Sequence, residues 1–272
     1  MILISLISFL IDESNDPLWK RALIAFEDVA EVYKAKWGSP AVIIYDNVNL
    51  LINDDPKILD ILQDDAKKNA DKCKYIAVFV SSEGAVPRRM EKRSAWSRAK
   101  QPPIEIGDLS KEESMKYLTE KRKINEKALE LYELVGGRII ELTAVADYFL
   151  AGQSFEEIKK KTLYEAKKKF ESAKLLKNQT HYEAGKQVIN ALLNSKEIDS
   201  DVFREIFTNE EEYNEVLKAN VFAYHPSRGG TVSFQSRLIE NYIRENSNIF
   251  VDLINLTPTN EFNSNYASTS KS

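Results

Sequence analysis

Apolar residues recur at steps of three and four through "NDPLWKRALIAFEDVAEVYKAKWG", where Trp19, Leu23, Phe26, Ala30, Tyr33 and Trp37 form one stripe. The spacing predicts an amphipathic helix with Asn15 or Asp16 as cap, Pro17 near its first turn and Gly38 as its stop. A stripe repeating at helix spacing is core, not a stacking platform. The period then changes. "AVIIY" and "KYIAVFV" are unbroken apolar runs of strand length, with "PKILDILQDDAKKNA" between them reading as a helix. A third run, "PIEI", follows a polar segment. Strands buried on both faces and separated by helices predict a mostly parallel α/β sheet.

From residue 108 the strands give way to helices. "LSKEESMKYLTEKRKI" opens with Ser110 followed by Glu113, a capping box in which each side chain satisfies a free backbone donor of the helix start. Helical patterns continue to about residue 219, broken at Gly136-Gly137, Gly152 and around Ser195. Next, "NVFAYHP" and "TVSFQS" alternate as strands around a Gly-rich turn, which predicts a β-hairpin, and helical "RLIENYIREN" follows. Three short helices and a hairpin, at about 180 to 246, outline a winged helix. The small, polar end "TPTNEFNSNYASTSKS" predicts a disordered tail over 257–272.

Composition narrows the chemistry. A net charge of −4 over 272 residues does not advertise a nucleic-acid or anionic-membrane partner. The single cysteine, Cys73, excludes an internal disulfide, and with only His181 and His225 no zinc-ligand spacing can be assembled. Metal chemistry would have to use oxygen ligands. Cys73 has no base nearby in sequence to activate it, and the two histidines read as structural or surface residues. The apolar start "MILISLISFLID" is about ten residues long, too short to span a bilayer, and lacks a basic leader and a cleavage site. A buried strand or helix in an intracellular, soluble protein with no membrane partner is the expectation.

The stretch "SPAVIIYDNVNLLI" carries the candidate site. Ligands of open α/β sheets bind outside the carboxyl ends of the strands, and Mg²⁺ takes hard oxygen ligands, so Asp46 directly after "VIIY" stands where a metal-facing carboxylate would. The alternative is that Asp46 and Asn47 merely begin a turn. "YIAVFV" runs into Ser81-Ser82-Glu83, which reaches the same edge if the two strands are parallel neighbours. Residues 88 to 100 carry six cations (Arg88, Arg89, Lys92, Arg93, Arg98 and Lys100) against Glu91 alone. Such a segment suits phosphate binding, or is a solvated basic loop.

In this order "PAVIIYDNVNLL", "YIAVFVSSEG", "RSAWSR", "PIEIGDLSKEESMKYL" and "VGGRIIEL" resemble the later half of an ATPase module of the AAA+/STAND superfamily, especially archaeal-type ATPases and their fungal relatives. The resemblance covers about residues 17 to 165, with a family-like winged helix behind. It implies an incomplete P-loop NTPase-like α/β sheet with flanking helices over 1–107, a helical lid over 108–165 and a winged-helix domain over 166–256. It also implies that Asp46 is the carboxylate holding Mg²⁺. Ser82, with Ser81 as second choice, would stand at the sensor of the γ-phosphate, and Arg98, with Arg93 behind it, would be an arginine finger. Arg138, in "GGRII", would lie in the lid that reports on the nucleotide. ATP and Mg²⁺ are the implied cofactors, and a homo-oligomer or a protein the implied partner.

Three departures limit those implications. Asn47 replaces the acid that orients attacking water, so hydrolysis should be slow. The lid motif of relatives has a proline after its glycines, where this chain has Arg138-Ile139. No G-x-x-x-x-G-K-[ST] occurs, which removes the backbone cradle, the phosphate lysine and the Mg²⁺ hydroxyl together. The chain as written is expected to bind ATP weakly or not at all. In relatives the strand leading into that loop is central, between the counterparts of "YIAVFV" and "PIEI". Either "LISLISF" fills its place or the sequence is an N-terminally shortened form. The main alternative functions are a non-catalytic interaction protein and a nucleic-acid-binding winged helix. Against the latter, its recognition helix "NEEEYNEVLKAN" carries Glu210, Glu211, Glu212 and Glu215 against Lys218.

Overall fold

A computed structural model describes residues 16–82, 85–99 and 103–250, the side chains of 53, 54 and 85 excepted. The apolar start and the polar end read from the sequence lie outside those residues, as does Glu83. The described chain divides into two compact units. One comprises the residues up to Asp108 with Glu197–Gln235, the other Leu109–Lys196 with the residues from Ser236 on. Residues 166–256, expected as one domain, are therefore shared between the two.

In the first unit, α1 (Leu18–Trp37) begins after Pro17 and stops at Gly38, whose φ of 73° lets its N–H reach the Lys34 carbonyl at 2.8 Å. Strand β1 (Ala41–Tyr45) leads through α2 (Asn49–Asp54) and α3 (Pro56–Asp71) to β2 (Tyr75–Phe79). The strands pair in parallel, with Ala41 opposite Tyr75 and Tyr45 opposite Phe79. A parallel neighbour requires the chain to return to the amino end, and α3 makes that return.

Both long helices lie on one face of this pair. Tyr75 packs edge-on against Phe26 of α1, 5.1 Å between ring centres, while its hydroxyl bonds to Asp65 and receives Asn69 Nδ2 of α3 at 3.2 Å. The opposite face does not match the expectation of strands buried on both sides. Val42, Ile44, Ile76, Val78 and Val80, alternating along the two strands, are each 41–64% exposed. Two further expectations also fail. The stripe on α1 is buried only near its middle, at Leu23 and Ala30, because the sheet is too small to cover Tyr33 and Trp37, which are exposed. "PIEI" forms no strand: Ile104 and Ile106 are 88% and 96% exposed.

Beyond β2 come α4 (Ala85–Glu91) and a 3₁₀ turn (Ser94–Arg98). Val86 and Met90 close a small core with Val48 and Leu59, edged by Tyr45, Phe79 and Trp96. The rest of this unit is β3 (Glu197–Asp199), α10 (Ser200–Glu205), α11 (Glu210–Lys218), β4 (Phe222–His225) and β5 (Thr231–Phe234), the five helices numbered between belonging to the second unit. The three strands form an antiparallel sheet in the order β3-β5-β4, and the expected hairpin turns at Gly229 and Gly230. Phe203, Tyr213 and Phe222 stack edge-on beneath it.

The second unit is helical. It contains α5 (Lys111–Lys116), which widens into a π turn, α6 (Ala128–Val135), α7 (Ile139–Leu150), α8 (Phe155–Ser172), α9 (Tyr182–Ser195), α12 (Arg237–Glu245) and α13 (Ser247–Phe250). The capping box of Ser110 and Glu113 is present, and Ser154 with Glu157 makes a second. Phe170 sits at the centre, with Tyr242 and Phe250 rings 4.9 Å and 5.0 Å away. The Gly136-Gly137 pair has a packing cause. A side chain at Gly137 would meet the Leu109 carbonyl at 1.9 Å, and one at Gly136 would meet Arg237 Cβ at 2.7 Å.

Candidate functional site

The carboxyl ends of β1 and β2 meet through backbone hydrogen bonds. Val80 donates to the Tyr45 carbonyl at 2.8 Å, and Val48 donates to the Val80 carbonyl at 3.1 Å. That lattice brings Asp46 and Asn47 to the same end of the sheet as Ser81 and Ser82. Asp46, Asn47 and Ser82 are exposed, while Ser81 is half-buried.

The turn itself is tight. Asn47 takes a left-handed φ of 54°, a conformation in which asparagine is enriched, and its N–H donates to Asp46 Oδ1 at 2.8 Å. One carboxylate oxygen of Asp46 therefore supports its own turn. Beneath the rim, burial first and the Asp65 carboxylate second push the Tyr45 hydroxyl up to about 12, so it stays protonated at neutral pH.

Arg98 does not join this rim. Its Nε donates to Asp71 Oδ1 at 2.6 Å, and Asp71 ends α3 just before β2 begins, at the amino end of the strands. The expected convergence of Asp46, Ser81-Ser82 and Arg98 is thus corrected by about the length of a five-residue strand, on the order of 16 Å. The other cations of the stretch among the described residues are also engaged. Arg93 reaches Asp64 at 2.8 Å and Asp60 at 3.2 Å, and Arg89 reaches Asp60 at 2.9 Å. Lys92 pairs with Glu210. Arg88, nearly buried, lies 4.2 Å from the centre of the Tyr213 ring and bonds its hydroxyl. The basic stretch that suggested phosphate binding is laid along the acidic side of α3 and against α11. Asp60, Asp64 and Asp71 lie 27 to 33 residues from the arginines they hold, so composition within the stretch could not reveal them.

Arg138 stands at the start of α7 in the helical unit, directly after the glycines whose close packing explains them. The sequence reading missed one polar network. On the outer face of the hairpin, His225 Nδ1 stands 3.2 Å from Glu105 and Nε2 stands 2.7 Å from Ser233 Oγ. Glu105 also accepts the Ser227 N–H at 3.1 Å, while Arg228 bridges to Glu197 at 2.6 Å. The spacing resembles a nucleophile, base and acid. However, Ser233 Oγ also donates to its neighbour's carbonyl at 3.0 Å, and the arrangement's evident effect is to fasten residues 103–107 to the hairpin. Glu105 and His225 are 120 residues apart, and nothing in the sequence links them.

The described rim residues offer few donors for a magnesium-bound triphosphate. Among the described residues no three His, Cys, Asp or Glu side chains gather to hold a metal, and Asp46 is the one carboxylate the rim residues provide. A shallow pocket of ≈ 380 Å³ is lined by Glu31, Lys34, Ala35, Lys72 and Lys74, on the last turns of α1 and the approach to β2, away from Asp46. Among the described residues no helix is long and apolar enough to cross a membrane.

No protein-family model matches the chain, and no curated protein does. A solved structure, the Walker-type ATPase PABY2304 of Pyrococcus abyssi, is similar over 85% of this chain and 69% of its own, with a TM-score of 0.51 and 14% identity. The fold is therefore that of a P-loop ATPase-like α/β protein, mostly helical, with one small parallel and one small antiparallel sheet.

Proposed function

We propose that this chain is a fragment or degenerate relative of AAA+/STAND-type ATPases, nucleotide-dependent switches or assembly proteins when complete, and that as given it keeps part of the site's scaffold with little grip on nucleotide. Asp46 corresponds to the carboxylate facing Mg²⁺ in such enzymes, with Ser82 or Ser81 as the sensor of the terminal phosphate. The observation that carries the proposal is the rim where Asp46 and Ser81-Ser82 stand side by side at the carboxyl end of a parallel pair, within a fold similar to a Walker-type ATPase. Against catalysis stand the missing phosphate loop, Asn47 in place of an acid, and the pairing of Arg93 and Arg98 with aspartates of α3. Residues 109–165 would be the counterpart of the helical lid. The order α9, β3, α10, α11, β4, β5 would be a winged helix, serving as a packing or regulatory element.

Titration calorimetry of the chain with ATP and Mg²⁺ tests this directly. The expected result is no binding tighter than millimolar, and a micromolar dissociation constant would overturn it. The second reading, a non-catalytic interaction protein, is favoured by the same losses. DNA binding through α11 is disfavoured by its four glutamates.

A further inference from the structure

The bare face of the β1–β2 pair is the least explained surface among the described residues. Its five side chains, Val42, Ile44, Ile76, Val78 and Val80, are aliphatic and neighbours across the register, Val42 opposite Ile76 and Ile44 opposite Val78. Parallel sheets are covered on both faces, and a two-stranded sheet alone is marginal in water. The helices that cover this one, α1 and α3, both lie on the Tyr75 side.

We propose that the apolar run of this chain's own residues 2–11 docks across that face. Three observations select it over other occupants. The first is composition. Outside the described residues, "ILISLISFLI" is apolar save for Ser5 and Ser8, whereas 251–272 is mostly small and polar. The second is length. Ten residues coiled as a helix measure about 15 Å, close to the roughly 16 Å of a five-residue strand. In that form Ser5 and Ser8, three apart, share one side and leave a broad apolar side for the sheet. The third is reach. Glu31, in the later part of α1, pairs with Lys74 just before β2 at the strands' amino ends, so Leu18, thirteen residues earlier and about 20 Å along the helix, lies away from those ends. From there residues 12–17 extend up to about 20 Å, enough to round the sheet to its other face. Tethering also raises the local concentration of the run to the millimolar range, which a separate partner must exceed.

Two measurements on the full chain test the assignment. Hydroxyl-radical footprinting should modify Ile44, Ile76 and Val78 several-fold less than Ile104 and Ile106, which lie fully open on the 103–107 segment. Equal modification overturns the proposal, and so does protection that disappears on dilution, which assigns the face to a second copy. In a Cys73→Ser background, Leu6→Cys with Ile44→Cys should oxidise to a disulfide within one chain. Ser5→Cys with Ile44→Cys, on the side turned to water, should not. Absence of the first link, or its formation only between chains, sinks the idea.

Discussion

The β1–β2 region is built from no less apolar sequence than the helical unit, yet the two end up differently packed. In the helical unit Leu118, Leu131, Leu142, Val145, Ile158 and Phe170 are fully buried, because α6, α7, α8 and α12 pack on one another. In the sheet region the described residues cover only one side of each strand, and their core there is little more than Val48, Leu59, Val86 and Met90. The difference teaches that apolar pattern sets which residues seek burial, whereas the number of layers present decides which achieve it. A helix can satisfy its stripe against one partner. A parallel strand needs two.

The sharpest way to break that comparison is truncation on each side. Phe170→Ala removes a ring in contact with Tyr242 and Phe250 and should destabilise the helical unit by about 3–5 kcal/mol in denaturant unfolding. Ile44→Ala distinguishes two states of the sheet. Covered as proposed, the loss should be about 2 kcal/mol or more, whereas on a bare face it stays within about 0.5 kcal/mol. The former is expected.

Acid separates the two units next. In the helical unit, hydrogen bonds from Ser110 and Ser154 hold the Glu113 and Glu157 carboxyls below their ordinary value of 4.5. Stability from a depressed carboxyl is complete above that value and is lost as pH falls through the lower folded one. In the sheet unit burial raises Asp65 and Glu91, so the penalty of their charge is present at neutral pH and is relieved as pH falls through the raised values. Hydrogen exchange from pH 7 to 3 should therefore show β2 and α3 gaining protection first, and the starts of α5 and α8 losing it later. Ser154→Ala, at about 1 kcal/mol, should remove the later loss at α8 while leaving the earlier gain. Parallel changes in the two units would contradict the contrast.

How much of this was legible in the sequence depends on the distance over which each feature is written. The caps at Ser110 and Gly38, the strands at 41–45 and 75–79 and the hairpin at 222–234 are set by neighbours within a few residues, and they stand where the pattern puts them. The rim of Asp46 and Ser81-Ser82 needed one longer step, that the strands be parallel and adjacent, and the register supplies it. "PIEI" alternates like a strand, yet Glu105 is drawn to His225 and Ser227 and the two isoleucines are left outside. The stripe of α1 is correctly periodic, but no local signal tells how wide the covering sheet will be. The basic stretch misled for the same reason: its countercharges sit on α3 and α11, between 27 and 118 residues away.

The smallest expected effect concerns that last point and bears most directly on function. Arg98 and Asp71 are both about half exposed, so their pair is screened by water and contributes at most about 1 kcal/mol. Arg98→Ala should lower the unfolding midpoint slightly and leave the calorimetric response to ATP and Mg²⁺ as flat as before. Asp46→Ala should likewise leave that response flat. Its stability change should be as small, because the carboxylate it removes supports only the Asn47 N–H. A chain whose nucleotide response depended on Arg98 would need that side chain to leave Asp71 and act either across the sheet or on another copy. In that case the amino end of the strands, not the Asp46 rim, would be where the two regions of the molecule exchange roles.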